Sequence, residues 1–278
     1  MRWPMLALSP WIYAATGAAT GILGATLGLG GGIFLVPVLT LVFDVPFRTA
    51  VAASLISVIA TASVASTVNL GRGLVNFRLG MTLEIATTVG GLTGGFLAAL
   101  LTQRQLFSIF GLTLAAMGVI MALRSGRRNV IAGAGVEPGL LGGQLEEDDR
   151  IYVYRLRRTP LALGASLLAG SISGLLGLGG GIIKIPILTA FCGIPIKVAA
   201  ATSAFMIGVT AAASAFVYYG RGDIDLTLAA AIALGALPGS LTGARLGQAL
   251  EARSLKLFLA VVLFVVGGQM AIKALRLP

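Results

Sequence analysis

Ten apolar stretches, separated by short polar or glycine-rich breaks, make up most of the chain. They run over 13–28, 32–43, 48–69, 79–101 and 105–123, and again over 162–177, 181–192, 197–219, 226–249 and 254–272. Alternation of polar and apolar positions is weak, and Ala, Leu and Gly abound, which predicts helices and not the strands of a barrel. Three stretches in each set of five approach the roughly 20 residues that cross a bilayer as a helix. The first two of each set are shorter. Joined as one straight helix, residues 13–43 would extend ~46 Å, against a hydrocarbon core of about 30 Å. A turn is expected between them. The pattern predicts an all-α polytopic membrane protein in which each set holds a glycine-broken helical hairpin plus three transmembrane helices.

The two sets are copies of one another. "GLGGGIFLVP" runs from Gly28 to Pro37 and "GLGGGIIKIP" from Gly177 to Pro186, 149 residues later. At the same offset Pro46 matches Pro195, Arg48 matches Lys197, Ser54 matches Ser203, Thr61 matches Thr210 and Arg104 matches Arg253. "GRG" at 71–73 recurs at 220–222, and "LTG" at 92–94 recurs at 241–243. The division is a first repeat (1–123), a linker (124–160) and a second repeat (161–278). Duplicated intramembrane halves are the plan of many secondary transporters. A re-entrant hairpin plus three spans is an odd number of crossings and inverts the second repeat. A single broken span plus three would leave the repeats parallel. Length favours the hairpin and inversion.

Composition and charge narrow the class. Residues are 57% hydrophobic and 11% charged, against roughly 25% charged in soluble domains. The net charge of +10 does not indicate nucleic acid, because most Lys and Arg fall in loops, where they set topology. In the inverted arrangement 12 loop cations lie on the linker side and 6 opposite; in the parallel one the split is 13 and 5. Either places the linker in the cytoplasm. That linker holds "RSGRR", "EEDD" and "YRLRR", with seven arginines against five acids, and reads as a solvated connector. The first apolar run lacks a convincing cleavage site and is read as part of the mature protein. There is no histidine, which excludes a histidine metal site, proton relay or triad, and the single cysteine, Cys192, cannot form an internal disulfide. No metal, no cofactor and no enzyme activity are expected.

The candidate chemistry lies in the glycines and a few polar residues. Gly30, Gly31 and Gly32 in one turn, and Gly179, Gly180 and Gly181 in the other, permit positive φ and leave amides unpaired where helices begin. Such amides favour anions, and two clusters meeting between the repeats would form an anion site. The alternative is tight helix packing. The spacing is no dinucleotide fingerprint, since the strand and downstream acid are missing. Three charges fall inside apolar stretches: Lys184, Arg245 and Glu84. Each is a site candidate. Lys184 and Arg245 could instead snorkel to the surface, and Glu84 either couples protons or lies near the interface. Ser54, Ser57 and Thr61 share one helical face, matched by Ser203, Met206 and Thr210. Ser54 and Ser203, just after the loop, are expected at the pocket, and Ser57 and Thr61 in packing.

The pattern GLGGGxxxxP, a loop with proline and a basic residue, then A(A/T)S resembles the TauE/SafE family of sulfite and organosulfonate exporters. Both halves carry it: Pro46-Phe47-Arg48 with Ala52-Ala53-Ser54, and Pro195-Ile196-Lys197 with Ala201-Thr202-Ser203. "YYGRGDID" at 218–225 resembles that family's second-half loop. Ala53 departs from the threonine usual there, and the linker is longer and more charged. The resemblance implies a multi-pass protein of the bacterial inner membrane that exports a small sulfur oxyanion, sulfite or an organosulfonate such as sulfoacetate. Ser54, Thr202, Ser203 and Lys184 would coordinate it at the glycine turns. An anion channel, or a carrier for another small anion, is the alternative. The other partner is the lipid bilayer, and a homodimer is left open.

Overall fold

The computed structural model describes residues 10–27, 30–124, 139–147, 150–249 and 252–276. The first half contains α1 (Pro10–Leu27), α2 (Gly32–Pro37) with a π-helical turn at Val38–Val42, α3 (Phe47–Leu70), α4 (Phe77–Leu100) and α5 (Gln103–Arg124). A short antiparallel hairpin, β1 (Gly143–Glu147) and β2 (Arg150–Tyr154), follows. The second half contains α6 (Thr159–Leu176), α7 (Gly181–Ala190), α8 (Ile196–Gly220), α9 (Leu226–Ala249) and α10 (Ala252–Arg276). Each of these five helices starts 149 residues after its counterpart, consistent with the repeat. Among the described residues six helices, α3, α4, α5, α6, α8 and α9, are long and apolar enough to cross a membrane.

Local chemistry explains the boundaries. Pro46 and Pro195 hold extended backbone immediately before α3 and α8, as the fixed proline φ favours. Asn76 caps α4 by accepting from the Leu79 amide at 3.0 Å, and Asp225 caps α9 by accepting from Thr227 and Leu228, both at 3.0 Å. Thr102 and Gln105 form a reciprocal capping box at the start of α5. The repeated "GRG" turns after α3 and α8 each use positive φ at their last glycine, 65° at Gly73 and 73° at Gly222.

Both short helices fold back on the helix before them. At the tip of the first hairpin, Gly31 sits against Gly24 and the Thr20 carbonyl. At its base Tyr13 meets Phe43, with ring centroids 5.4 Å apart. In the second hairpin Gly180 lies against Ala169 and Ser173, and the base is closed by the Arg157 amide donating to the Cys192 carbonyl at 2.9 Å. Each hairpin therefore returns to the face it entered from.

Hydrogen bonds give the relative direction of the halves. The Asn76 amide, at the start of α4, donates to Thr202 Oγ1 near the start of α8 at 3.0 Å. Arg221, just past the end of α8, donates to the Gly95 carbonyl near the end of α4 at 3.0 Å. So α4 and α8 are parallel. Arg48, at the start of α3, donates to the Ala99 and Leu101 carbonyls at the end of α4, so α3 and α4 are antiparallel. The counterparts α3 and α8 thus run in opposite directions, which is the inverted arrangement. A reporter fused after Arg276 and one inserted at residues 139–142 are expected on opposite faces of the membrane. Finding both on one face would overturn the inversion.

The halves interlock. The first helix of each packs on the fourth of the other (α1 on α9, α6 on α4), and α3 packs on α8 and α5 on α10. The α1–α9 seam is backbone on backbone: Gly17 and Gly21 face the Ile232 and Ala236 carbonyls, while Gly235, Gly239 and Gly243 face those of Ala14, Ala18 and Ile22. In the α4–α6 seam, Gly90 and Gly94 face Leu167 and Ser171, and Gly170 and Gly174 face Thr87 and Gly91. Lipid supplies no hydrophobic drive between helices, so close approach of small residues supplies the packing.

The linker differs from a purely solvated connector. Residues 125–138 and 148–149, including part of "EEDD", lie outside the described residues. The strands after them dock on the bundle. Asn76 Nδ2 donates to the Gly142 carbonyl at 3.0 Å and to Tyr154 Oη at 3.1 Å. Leu145, Tyr154 and Leu156 are buried in a cluster with Leu79, Leu83, Leu188 and Ile194.

Candidate functional site

The two glycine turns meet in the middle of the bundle. Gly30 and Gly31 have φ of 72° and 26°, and Gly179 and Gly180 have 77° and 71°. Helices α2 and α7 start at Gly32 and Gly181. Gly32 approaches the Gly177 carbonyl so closely that a Cβ would collide with it. Ser54 Oγ, from α3, donates to that same carbonyl at 2.8 Å. A Cβ on Gly181 would stand 3.4 Å from Ser203 Oγ, and one on Gly30 would touch Val58 and Ile207. Each turn therefore leans on helices of both halves.

Among the described residues, Glu84 and Lys184 are the only buried charged side chains, 7% and 1% exposed. Lys184 comes from the first turn of α7, and its Cε lies 3.5 Å from the position of a Gly180 Cβ, beside Ser173. Its ammonium has no hydrogen-bond partner. Glu84, on α4, accepts at Oε1 from Thr210 at 2.7 Å and from Thr88 at 3.1 Å, while Oε2 has no partner. The Lys184 ammonium and Glu84 Oε2 are not within hydrogen-bond distance of one another. The hydroxyls of Ser57, Ser173 and Ser203 are also buried and unpartnered. Burying ionised groups costs several kcal/mol each by general estimate, so this cluster is not what packing alone would select.

Not every residue picked from sequence joins the cluster. Arg245 is exposed on α9, near its end, where a long cationic side chain can reach the polar boundary. The Thr202 hydroxyl is engaged by the Asn76 amide and serves the start of α4. The Ser54 hydroxyl is committed to the Gly177 carbonyl. Thr61 donates back to the Val58 carbonyl at 3.1 Å and lines a small, mostly apolar cavity with Gly30, Ala62, Ala204 and Ile207. Glu84 is buried within the bundle.

Thr88, Thr210 and Ser173 complete the cluster; sequence reasoning had marked Thr210 only as the counterpart of Thr61 on a hydroxyl-bearing face and gave Thr88 and Ser173 no role. Thr88 had a signal, since it follows Glu84 by one helical turn and can bond to it. Ser173 is the counterpart of Gly24, a point where the repeats diverge beside the lysine. Tyr218 Oη donates to the Gly174 carbonyl at 3.1 Å and, with Ser54, satisfies the carbonyls that the end of α6 leaves open.

Comparison with known proteins decides the family. The sequence profile of the sulfite exporter TauE/SafE family matches residues 13–270. The chain belongs to the TauE/SafE family. Among relatives of this TauE/SafE protein, the probable membrane transporter protein YunE of Bacillus subtilis is 24% identical, covering 93% of this chain and 96% of the relative. The probable membrane transporter protein MJ0441 of Methanocaldococcus jannaschii is 27% identical over 96% and 97%. A probable membrane transporter protein of Xylella fastidiosa is 26% identical over 84% and 82%. No solved structure matches the chain. Family and fold together make it a multi-pass membrane transporter.

Proposed function

We infer that this TauE/SafE protein is a secondary carrier that moves a small sulfur oxyanion, sulfite or an organosulfonate such as sulfoacetate, out of a bacterial cell across the inner membrane. The observation that carries the reading is the buried, unpartnered ammonium of Lys184 in the glycine turn of the second half. In the first turn of α7 the Ile183 and Lys184 amides donate to the Gly180 carbonyl, while those of Gly181 and Ile182 have no carbonyl of their own helix to bond. Together with the Ser173 and Ser203 hydroxyls they supply donors, and the ammonium supplies one fixed positive charge. Such a set suits an oxyanion, through charge-assisted hydrogen bonds and the positive end of the helix. The Gly30–Gly32 turn and Ser54 form the facing wall. Arg245 is left out of the site.

The hairpins enter from opposite faces, so a site between their tips opens to one side or the other as one hairpin or its surrounding helices shift. With the 12-cation side in the cytoplasm, as the positive-inside rule directs, a potential negative inside favours anion exit by about 2.3 kcal/mol per charge per 100 mV. The test is a screen of sulfite, sulfate, thiosulfate, sulfoacetate and taurine on purified protein in liposomes. Saturable counterflow of labelled sulfite or sulfoacetate is expected. Movement of neither removes the substrate assignment, and flux without counterflow marks a channel.

A further inference from the structure

The two buried charges come from different repeats, one of each sign. Glu84 is on α4 and Lys184 on α7, and α6 lies between them. Lys184 leans over Gly180 beside Ser173 of α6, and that stretch of α6 packs on Thr87 and Gly91 of α4, within two turns of Glu84. Surrounding helices bring no other buried charge among the described residues. The α6 helix carries no charged residue, and Lys197 of α8 and Arg245 of α9 are exposed. Two hydroxyls donate to one oxygen of Glu84, while its other oxygen and the Lys184 ammonium are each buried without a hydrogen-bond partner, so a side-chain shift would be needed to join them.

We propose that Glu84 is the counter-ion that Lys184 takes whenever it holds no anion, and that the substrate displaces it. This rests on the reading of Lys184 as the anion's partner. Its consequence is a charge assignment for the cycle. The empty carrier returns with ammonium and carboxylate balanced, so the return step carries no net charge through the bundle. The carrier loaded with a monoanion moves one negative charge. No proton is exchanged. An unbalanced ammonium would make the return step slow, because an ion alone in a low-dielectric interior is far costlier than a paired one.

Two measurements on the full-length protein keep the pair and the substrate apart. The first is thermal unfolding in detergent without added anion. Glu84→Gln and Lys184→Met are each expected to lower the midpoint, and the double variant to recover most of the loss. Additive losses would overturn the pairing. The second uses liposomes loaded with labelled sulfite at mildly acid pH, where the monoanion dominates. Net efflux from the wild type is expected to speed up when efflux is favoured by the imposed potential, with no proton moved beyond the one that hydrogensulfite itself carries. In Glu84→Gln the ratio of net efflux to sulfite exchange should fall by about tenfold, the consequence of some 1.4 kcal/mol added to the return barrier. An unchanged ratio, or wild-type efflux that carries a second proton with each hydrogensulfite and ignores the potential, would overturn the proposal. A wild type that moves no sulfite counts against the substrate, and the unfolding cycle then judges the pair by itself.

Discussion

Replacing Lys184 by methionine weakens anion binding by roughly 1.5–3 kcal/mol, the worth of a hydrogen bond to a charged group, or about 10- to 150-fold in Kd. Methionine keeps most of the stem that lies over Gly180 and removes only the charge and its donors. The effect is large because Lys184 is only 1% exposed, so little water competes for its ammonium. Calorimetry with sulfite on purified protein reads the change. Unchanged affinity would leave the site to backbone amides and hydroxyls alone.

Replacing Gly170 by leucine is expected to abolish the folded protein. The new Cβ would run into the Thr87 carbonyl, a backbone atom that cannot rotate away. The neighbouring contacts of Gly90 and Gly174 leave the seam no room to slide. Overpacking typically costs about 1–3 kcal/mol and occasionally more, and a collision with backbone belongs at the upper end. The control is Gly164→Leu in the same helix, where nothing lies within 4 Å of an added Cβ. Size-exclusion profiles in detergent should separate the two: loss of the monodisperse peak for Gly170→Leu and retention for Gly164→Leu. Equal behaviour would mean that the seam yields.

The hairpins, their glycine turns and the inversion were legible because each rests on a local constraint. Thirty-one apolar residues do not fit one span, and a run of glycines states where the chain turns. What lay beyond reach depends on partners. The Gly-x-x-x-Gly spacings of α1, α4, α6 and α9 announce small faces, but nothing in them says that α1 seeks α9 and α6 seeks α4. A hydroxyl near a glycine turn looks the same whether it faces a ligand, as Ser203 can, or serves a backbone amide, as Thr202 does. Arg245 looked intramembrane because its flanks are apolar, yet helix α9 ends four residues later. The β-hairpin was hidden by the acids of "EEDD", although "IYVY" at 151–154 is a run that favours strand.

The interlocked seams also set a timetable for biogenesis. Helix α1 ends at Leu27, and its partner α9 begins at Leu226. At roughly 5–20 residues per second the ribosome needs about 10–40 s to make the intervening chain. For that interval the glycine face of α1 has no native surface to meet, and α4 waits in the same way for α6. The first half must sit in the membrane as a set of inserted but unmated helices. Assembly of the bundle is therefore a late event, completed only when the second half arrives from the opposite orientation to close both seams.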